Sequence, residues 1–126
     1  MNLKASRPLD FSFLFQAGDH AVTGDDLYGG TNRYLNKCAS KHGVEFTMVD
    51  ARNPQNVRDA LRENTKLVWL ETPTNPLLRV ADIEAISTLV HDYNKDIVVV
   101  VDNTFLTPYN QVRCNHHLAL ESRLIM

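Results

Sequence analysis

The sequence predicts an α/β fold with a mostly parallel sheet and flanking helices, and three observations carry that prediction. Strand-like and helix-like segments alternate over residues 44–101 in the order β-α-β-α-β, which is typical of parallel strands joined by right-handed crossovers. The run Val98-Val99-Val100-Val101 is β-branched throughout, which favours a strand covered on both faces in the middle of such a sheet. Polar loops follow the predicted strands, as at a ligand-binding sheet edge.

Size and composition limit the classes of protein that fit. The chain has 126 residues, 44% of them hydrophobic, so we expect at most one domain with its own core. A net charge of -2 gives no basic stripe for nucleic acid and no polybasic segment for a membrane surface. No apolar run approaches the roughly 20 residues that span a bilayer. Two cysteines without C-x-x-C spacing favour a reducing compartment, and we expect a cytoplasmic protein.

The first part of the chain predicts a short strand, a helix and a second strand. Residues 9–23 fit a helix end and a short strand whose limits are blurred by Gly18 and Gly24. A helix is expected to begin at Thr31 and to stop at His42-Gly43, because apolar side chains recur between them at helical spacing. These side chains are Tyr34, Leu35, Cys38 and Ala39. Residues 44–49 then alternate as a strand does.

Two N-cap residues predict where the next two helices begin. Asn53 followed by Pro54 is an N-cap and first-turn pair, and the helix that it opens is expected to run through Leu61. Asp82 can cap a second helix whose apolar positions form one stripe. That stripe consists of Ile83, Ile86, Leu89 and Val90. The strands that follow these helices are residues 66–70, ending at Glu71, and residues 97–101.

Three polar loops are expected to meet at one edge of the sheet, because the carboxyl ends of parallel strands share an edge. They offer a carboxylate, an amide, a phenol and flexible glycines, a mixture that suits a flat heteroaromatic cofactor. An aspartate can keep a ring nitrogen protonated, since the paired charges attract by about 4 kcal/mol at about 4 Å in an effective dielectric of about 20. The loops are residues 25–31, 71–76 and 102–104.

The same loops carry three motifs that resemble one enzyme family in order and spacing. They are Asp26-Leu27-Tyr28-Gly29-Gly30-Thr31-Asn32-Arg33, Glu71-Thr72-Pro73-Thr74-Asn75-Pro76 and Val101-Asp102-Asn103-Thr104-Phe105. Over residues 17–111 the chain closely resembles the Cys/Met metabolism enzymes that use pyridoxal phosphate. The resemblance implies part of the large cofactor-binding domain of a fold-type I, aspartate aminotransferase-like enzyme. It leaves residues 1–16 as a divergent N-terminal segment and residues 112–126 as a divergent or read-through tail.

The resemblance also implies site residues and a cofactor, pyridoxal 5′-phosphate. Tyr28 would stack on the pyridine ring and is the candidate catalytic side chain. Asp102 would pair with the ring nitrogen, Asn75 would lie near the phenolic oxygen, and Thr104 completes the cofactor-binding set. No metal is expected.

The reaction that the resemblance implies is α,γ-elimination of cystathionine to cysteine, 2-oxobutanoate and ammonia. Members of the family that make cystathionine or cleave methionine share these loops and stay alternatives. Family members are usually homotetramers that act on small sulfur amino acids.

The sequence departs from the family pattern where the cofactor is attached. In the family a Ser-x-Thr-Lys segment shortly after the last of these strands supplies the Schiff-base lysine. The lysines of this chain are Lys4, Lys37, Lys41, Lys66 and Lys95, and none follows Asp102. We therefore expect a truncated form, either catalytically inactive or an interaction partner of full-length subunits. Its tail is either a divergent family segment over residues 117–126 or read-through after Gln111.

Some of the polar residues have a structural explanation as well as a functional one. Glu71 is either a site residue or a carboxylate at a strand end whose hydrogen bonds are made within the fold, and the sequence does not decide between the two. His116-His117 is expected to be solvated, because adjacent histidines point apart and no acidic or thiol partner stands at ligand spacing.

A phosphoacceptor domain is disfavoured by the long separation between Asp25-Asp26 and Asp102. A nucleotide hydrolase is disfavoured by the lack of a G-x-x-x-x-G-K-[ST] loop.

Overall fold

Four strands and three α-helices alternate in the computed structural model, which describes residues 15–106. In chain order they are β1 (His20–Gly24), α1 (Gly29–Lys37), β2 (Glu45–Val49), α2 (Pro54–Ala60), β3 (Thr65–Glu71), α3 (Ile83–Tyr93) and β4 (Val98–Asp102). A short 3-10 turn, Ala39–His42, lies between α1 and β2. The predicted strands at residues 44–49, 66–70 and 97–101 are each present within a residue of their expected limits.

The four strands form one parallel sheet in the order β2-β1-β3-β4. Because every pair is parallel, the carboxyl ends of all four strands lie at the same edge. The register places Glu71 of β3 opposite Asp102 of β4. The predicted α/β class is therefore confirmed, and the loops that follow β1, β3 and β4 share one edge of the sheet.

Apolar side chains cover both faces of the sheet. On one face, Val57 of α2 and Ile86 and Val90 of α3 pack in a buried cluster with side chains of β1, β3 and β4, and Val49 of β2 packs against this cluster. On the other face, Leu35 of α1 packs with Leu27 and with side chains of β1, β3 and β4. The sheet is thus a middle layer between helices, as the alternating pattern predicts.

The valine strand differs from its expected place. Among residues 15–106, β4 lies at an edge of the sheet rather than in its middle. Val99, Val100 and Val101 are nevertheless at most 3% exposed. Val99 and Val101 face the cluster of α2 and α3, whereas Val100 faces the cluster of α1. A run of four valines predicts that both faces of the strand are buried. It does not predict how many strands pair with it in the sheet.

Three helix limits also differ from the prediction. Helix α1 begins at Gly29 rather than Thr31, because its glycine-rich first turn contributes no apolar periodicity. It ends at Lys37, so Cys38 is its C-cap and Ala39 begins the 3-10 turn. The predicted stop falls at Gly43, which adopts the left-handed conformation at φ 78°. Helix α2 ends at Ala60, with Leu61 extended beyond it.

Several predictions fall on residues that the structure does not describe. Residues 1–14 and 107–126 lie outside the described range, so the helix end expected after residue 9, Cys114, His116-His117 and the tail stay predictions. Within residues 15–106, no helix is long and apolar enough to cross a membrane.

Candidate functional site

A cavity of about 290 Å³ opens at the carboxyl edge of the sheet. Its volume is near the lower end of the roughly 300–1,000 Å³ that is usual for ligand pockets. The residues that line it are Tyr28, Glu71, Pro73, Asn75, Asp102, Thr104 and Phe105. All four sequence-predicted site residues are therefore brought together, from the loops that follow β1, β3 and β4.

Asp102 is the last residue of β4, and its carboxylate is oriented by the residues around it. The backbone N–H of Thr104 donates to Asp102 Oδ1 at 3.0 Å, and the Thr104 hydroxyl donates to the same oxygen. The Asp102 carbonyl accepts a hydrogen bond from the N–H of Thr72 at 3.0 Å. Within residues 15–106, Asp102 Oδ2 has no hydrogen-bond partner, so this oxygen is available to a cationic N–H donor.

Tyr28 lies at the N-cap of α1, where its backbone is extended at φ -51° and ψ 137°. Its side chain is 59% exposed and borders the cavity. The ring lies against Gly30, where a Cβ atom would come within 2.7 Å of Tyr28 Cε1. Glycine at this position therefore leaves the space that the aromatic ring occupies.

Glu71, which the sequence left undecided, is a buried carboxylate at 7% exposure between Tyr28 and Asp102. Its Oε2 accepts the backbone N–H of Tyr28 at 2.7 Å. Its Oε1 accepts the indole N–H of Trp69 at 3.4 Å. Sequence patterns show only that Glu71 ends a strand beside the Asn75 motif, and its link to Tyr28 depends on pairing across 43 residues.

The loop that carries Asn75 is tied to the loop that carries Tyr28. Asp26 Oδ2 accepts hydrogen bonds from the Thr74 hydroxyl and from the N–H of Leu77, the latter at 3.2 Å. Arg79 forms an ion pair with Asp25 at 3.0 Å. These contacts hold the two loops against each other and keep Asn75 at the cavity wall.

The donor set of the cavity fits the ring of pyridoxal phosphate. Asp102 offers a carboxylate oxygen for a protonated ring nitrogen, Tyr28 offers an aromatic face, and Asn75 offers an amide that can donate to a phenolic oxygen. No lysine or arginine is among the lining residues in the described range. Pro73 and Phe105, for which the sequence motifs indicate no role, add apolar walls.

The described residues show no competing site for a metal ion. Within residues 15–106, no group of three or more His, Cys, Asp or Glu side chains is placed to hold one. Cys38 is an exposed free thiol.

The shifted pKa values lie outside the cavity lining. Hydrogen bonds from Arg52 lower the pKa of the half-buried Asp50 to about 2, and the same pairing raises the pKa of Arg52. At the start of β1, burial lowers the pKa of His20 below its ordinary 6.5, and the charge of Arg62 adds to that shift. These groups belong to the framework around the cavity rather than to its lining.

Comparisons with known proteins show the family to which the sequence is similar. The family described as "Cys/Met metabolism PLP-dependent enzyme" matches residues 5–119. The L-methionine gamma-lyase of Treponema denticola is 50% identical over 98 residues, covering 78% of this chain and 24% of that protein. The cystathionine gamma-lyase of Rattus norvegicus is 48% identical over 98 residues, with the same shares of 78% and 24%.

Solved structures give the same result for the fold. The crystal structure of cystathionine gamma-lyase from Lactobacillus plantarum complexed with L-serine matches with a TM-score of 0.74 and 45% identity. The match covers 79% of this chain and 25% of that one. The chain thus spans about a quarter of the length of these relatives.

Proposed function

The chain belongs to the Cys/Met metabolism PLP-dependent enzymes, and from this membership we propose that its cavity is the part of a pyridoxal phosphate site that holds the pyridine ring. Pyridoxal phosphate is the cofactor of that family, and the parallel sheet with flanking helices is part of its fold-type I domain. The observation that carries the proposal is the convergence of Tyr28, Asn75, Asp102 and Thr104 on one cavity.

In this proposal Asp102 keeps the ring nitrogen protonated. Thr104 donates two hydrogen bonds to Oδ1 and so fixes the carboxylate plane. Oδ2 is then left to accept the N–H of the ring. A carboxylate held in this way loses little conformational freedom when it pairs with a cation, which favours a strong charge-assisted bond.

Tyr28 and Asn75 orient the ring from two other directions. The aromatic face of Tyr28 would stack on the ring, and its hydroxyl could take or give a proton. Asn75 donates its amide N–H to the phenolic oxygen. When bound, the cofactor supplies an electron sink for the pair left behind when a proton leaves the substrate.

The activity that we propose for the complete enzyme is carbon–sulfur lysis, in the form of α,γ-elimination of cystathionine to cysteine, 2-oxobutanoate and ammonia. The motifs around Tyr28 and Asn75 support this group of enzymes, and within the group we choose the γ-lyase reaction. Relatives named cystathionine gamma-lyase and L-methionine gamma-lyase have nearly the same identity, 48% and 50%. A cystathionine γ-synthase or methionine γ-lyase activity is therefore the alternative, and we place the enzyme in cytoplasmic transsulfuration as a homotetramer.

For the 126-residue chain by itself we propose cofactor binding without turnover. No lysine is among the residues that line the cavity in the described range. Covalent attachment of the cofactor needs an amine at the cavity, so among residues 15–106 the ring would be held without a covalent bond, by Asp102, Tyr28 and Asn75. Borohydride treatment of the mixture is expected to leave no specific lysine adduct, and cystathionine is expected to stay uncleaved.

A titration with pyridoxal phosphate tests the proposal. Trp69 is the only tryptophan of the chain and lies beside Glu71, so a ring bound in the cavity quenches its emission. We expect saturable quenching that Asp102→Asn weakens about tenfold, which is roughly 1.4 kcal/mol. The matched control is Asp96→Asn, an exposed aspartate in the turn before β4. Equal affinities of the two variants, or a specific lysine adduct with turnover, would contradict the proposal.

A second candidate function is assembly with full-length subunits of the same family. Leu77, Leu78 and Val80 favour it, because these apolar side chains are 57%, 64% and 62% exposed in the loop after β3. Co-expression of the chain with a full-length relative, followed by sizing and mass analysis, is expected to recover a mixed oligomer. Recovery of the relative free of this chain would exclude this function.

A further inference from the structure

We propose that Glu71 is a positioning residue that fixes the ring of Tyr28 at the cavity. The inference rests on the proposed function, because the position of the ring matters only when Tyr28 stacks on the cofactor. It assigns a role to the one lining carboxylate that the proposed binding of the ring leaves unused.

Glu71 is buried and fully engaged as a hydrogen-bond acceptor. The residue is 7% exposed, and each of its two oxygens accepts one N–H donor. The shorter bond, 2.7 Å, comes from the backbone of Tyr28 rather than from its side chain. A charge-assisted bond to a buried carboxylate is strong, so it fixes the point from which the ring extends.

Tyr28 is held by few contacts besides the bond to Glu71, and its carbonyl accepts the N–H of Asn32 at 3.0 Å in the first turn of α1. Its ring is 59% exposed, so packing covers less than half of it. At the N-cap its N–H has no partner within the helix, so the bond to Glu71 supplies the missing acceptor. On its other side the Tyr28 ring lies next to Gly30, which has no side chain to pack against the ring.

A purely electrostatic role is the competing explanation. Glu71 is the cross-strand neighbour of Asp102, so its charge adds to the negative potential of the cavity. Two substitutions separate the effect of the length of the Glu71 side chain from the effect of its charge. Glu71→Gln keeps the length of the side chain and an acceptor for Tyr28 but removes the charge. Glu71→Asp keeps the charge but is one methylene too short to reach the same N–H.

The test measures the affinity of the 126-residue chain for pyridoxal phosphate from the saturation of Trp69 quenching. We expect Glu71→Gln to bind within about twofold of the wild type. Glu71→Asp and Glu71→Ala are expected to bind about three- to tenfold more weakly, as befits the loss of one aromatic contact. The control is Glu63→Gln, an exposed glutamate before β3 at the opposite end of that strand.

A double-mutant cycle shows whether Glu71 acts through Tyr28. In a Tyr28→Ala background, Glu71→Ala is expected to change the affinity by less than about twofold, because the ring that it positions is gone. Amide hydrogen exchange gives a second readout that needs no cofactor. The N–H of Tyr28 is expected to be protected in the wild type and in Glu71→Gln and to exchange faster in Glu71→Asp.

The outcomes are distinct. Wild-type affinity in Glu71→Asp with weak binding in Glu71→Gln overturns positioning in favour of charge. An unchanged affinity in Glu71→Ala, an unprotected Tyr28 N–H in the wild type, or an undiminished effect of Glu71→Ala without the Tyr28 ring overturns it as well. If the wild-type chain shows no saturable quenching, the proposed function fails and this inference fails with it.

Discussion

Gly30 determines where the ring of Tyr28 can lie. A Cβ atom at this position would come within 2.7 Å of Tyr28 Cε1, so Gly30→Ala forces the ring to move. We expect this variant to bind pyridoxal phosphate about three- to tenfold more weakly. Its free energy of unfolding is expected to stay the same or to rise by up to about 1 kcal/mol, because alanine is the better helix former.

Gly29→Ala is the matched control for that prediction. Apart from its two chain neighbours and the backbone of its own helix, no atom of residues 15–106 lies within 4 Å of the Cβ that it would add, in the same first turn of α1. Its affinity for the cofactor should equal that of the wild type in the Trp69 titration. If both variants bind equally well, the contact between Gly30 and the ring has no part in binding.

His20 gives the fold a defined dependence on pH. Its ring nitrogens lie 2.8 Å from the hydroxyls of Thr65 and Thr47, and burial followed by the charge of Arg62 lowers its pKa below 6.5, against the opposing charge of Glu45. The unfolded chain therefore binds this proton more readily than the folded chain. The contribution of His20 to stability is complete above about pH 6.5 and is lost as the pH falls toward the folded-state pKa.

Urea unfolding at about pH 7.5 and about pH 5.5 measures this effect. The free energy of unfolding of the wild type is expected to fall between these values by more than that of His20→Gln, which cannot titrate. His42→Gln, at an exposed histidine, is expected to keep the wild-type dependence. Parallel curves for the wild type and His20→Gln would show that another group causes the loss.

Site residues differ in how far the sequence reveals them. Asp102 and Asn75 stand in strand-end loops, where parallel topology collects ligand-binding groups, so local pattern and fold class together place them. Glu71 stays undecided in the sequence because its function depends on a hydrogen bond to a residue 43 positions away. No property of the sequence around Glu71 encodes that bond.

Among the secondary-structure elements, helix α3 offers a clear test of a local signal. Asp82 Oδ1 accepts the N–H of Ala85 at 3.0 Å and so caps the first turn. Asp82→Ala is expected to lower the free energy of unfolding by about 1 kcal/mol, whereas Asp82→Asn, an equally good cap, should be close to neutral. Urea unfolding of both variants checks this, and an equal loss in both would show that the charge, not the cap, matters.

The elements show which local signals suffice. Asn53 with Pro54 and Asp82 predict the starts of α2 and α3 correctly, because a cap is a contact within three residues. The start of α1 is missed because two glycines open it. The place of β4 at an edge of the described sheet is missed because lateral pairing is not local. Sequence periodicity therefore predicts where helices and strands occur better than it predicts which strands lie side by side.

At the scale of the whole molecule, parallel pairing is what creates the candidate site. Four parallel strands bring their carboxyl ends to one edge, and the contacts of Asp26 with Thr74 and Leu77 and of Asp25 with Arg79 hold two of the loops together. The cavity that results collects residues from three separate loops. We propose that this collection of residues holds the ring of the family's cofactor.

The central claim is that Asp102 keeps the pyridine nitrogen of pyridoxal phosphate protonated in this cavity. Nitrogen NMR of cofactor labelled at the ring nitrogen measures this directly when it is bound to the 126-residue chain. We predict a protonated nitrogen in the wild type at a pH where the free cofactor has lost that proton, and an unprotonated nitrogen in Asp102→Asn. A bound nitrogen that titrates like the free cofactor, or identically in the two proteins, would contradict the claim.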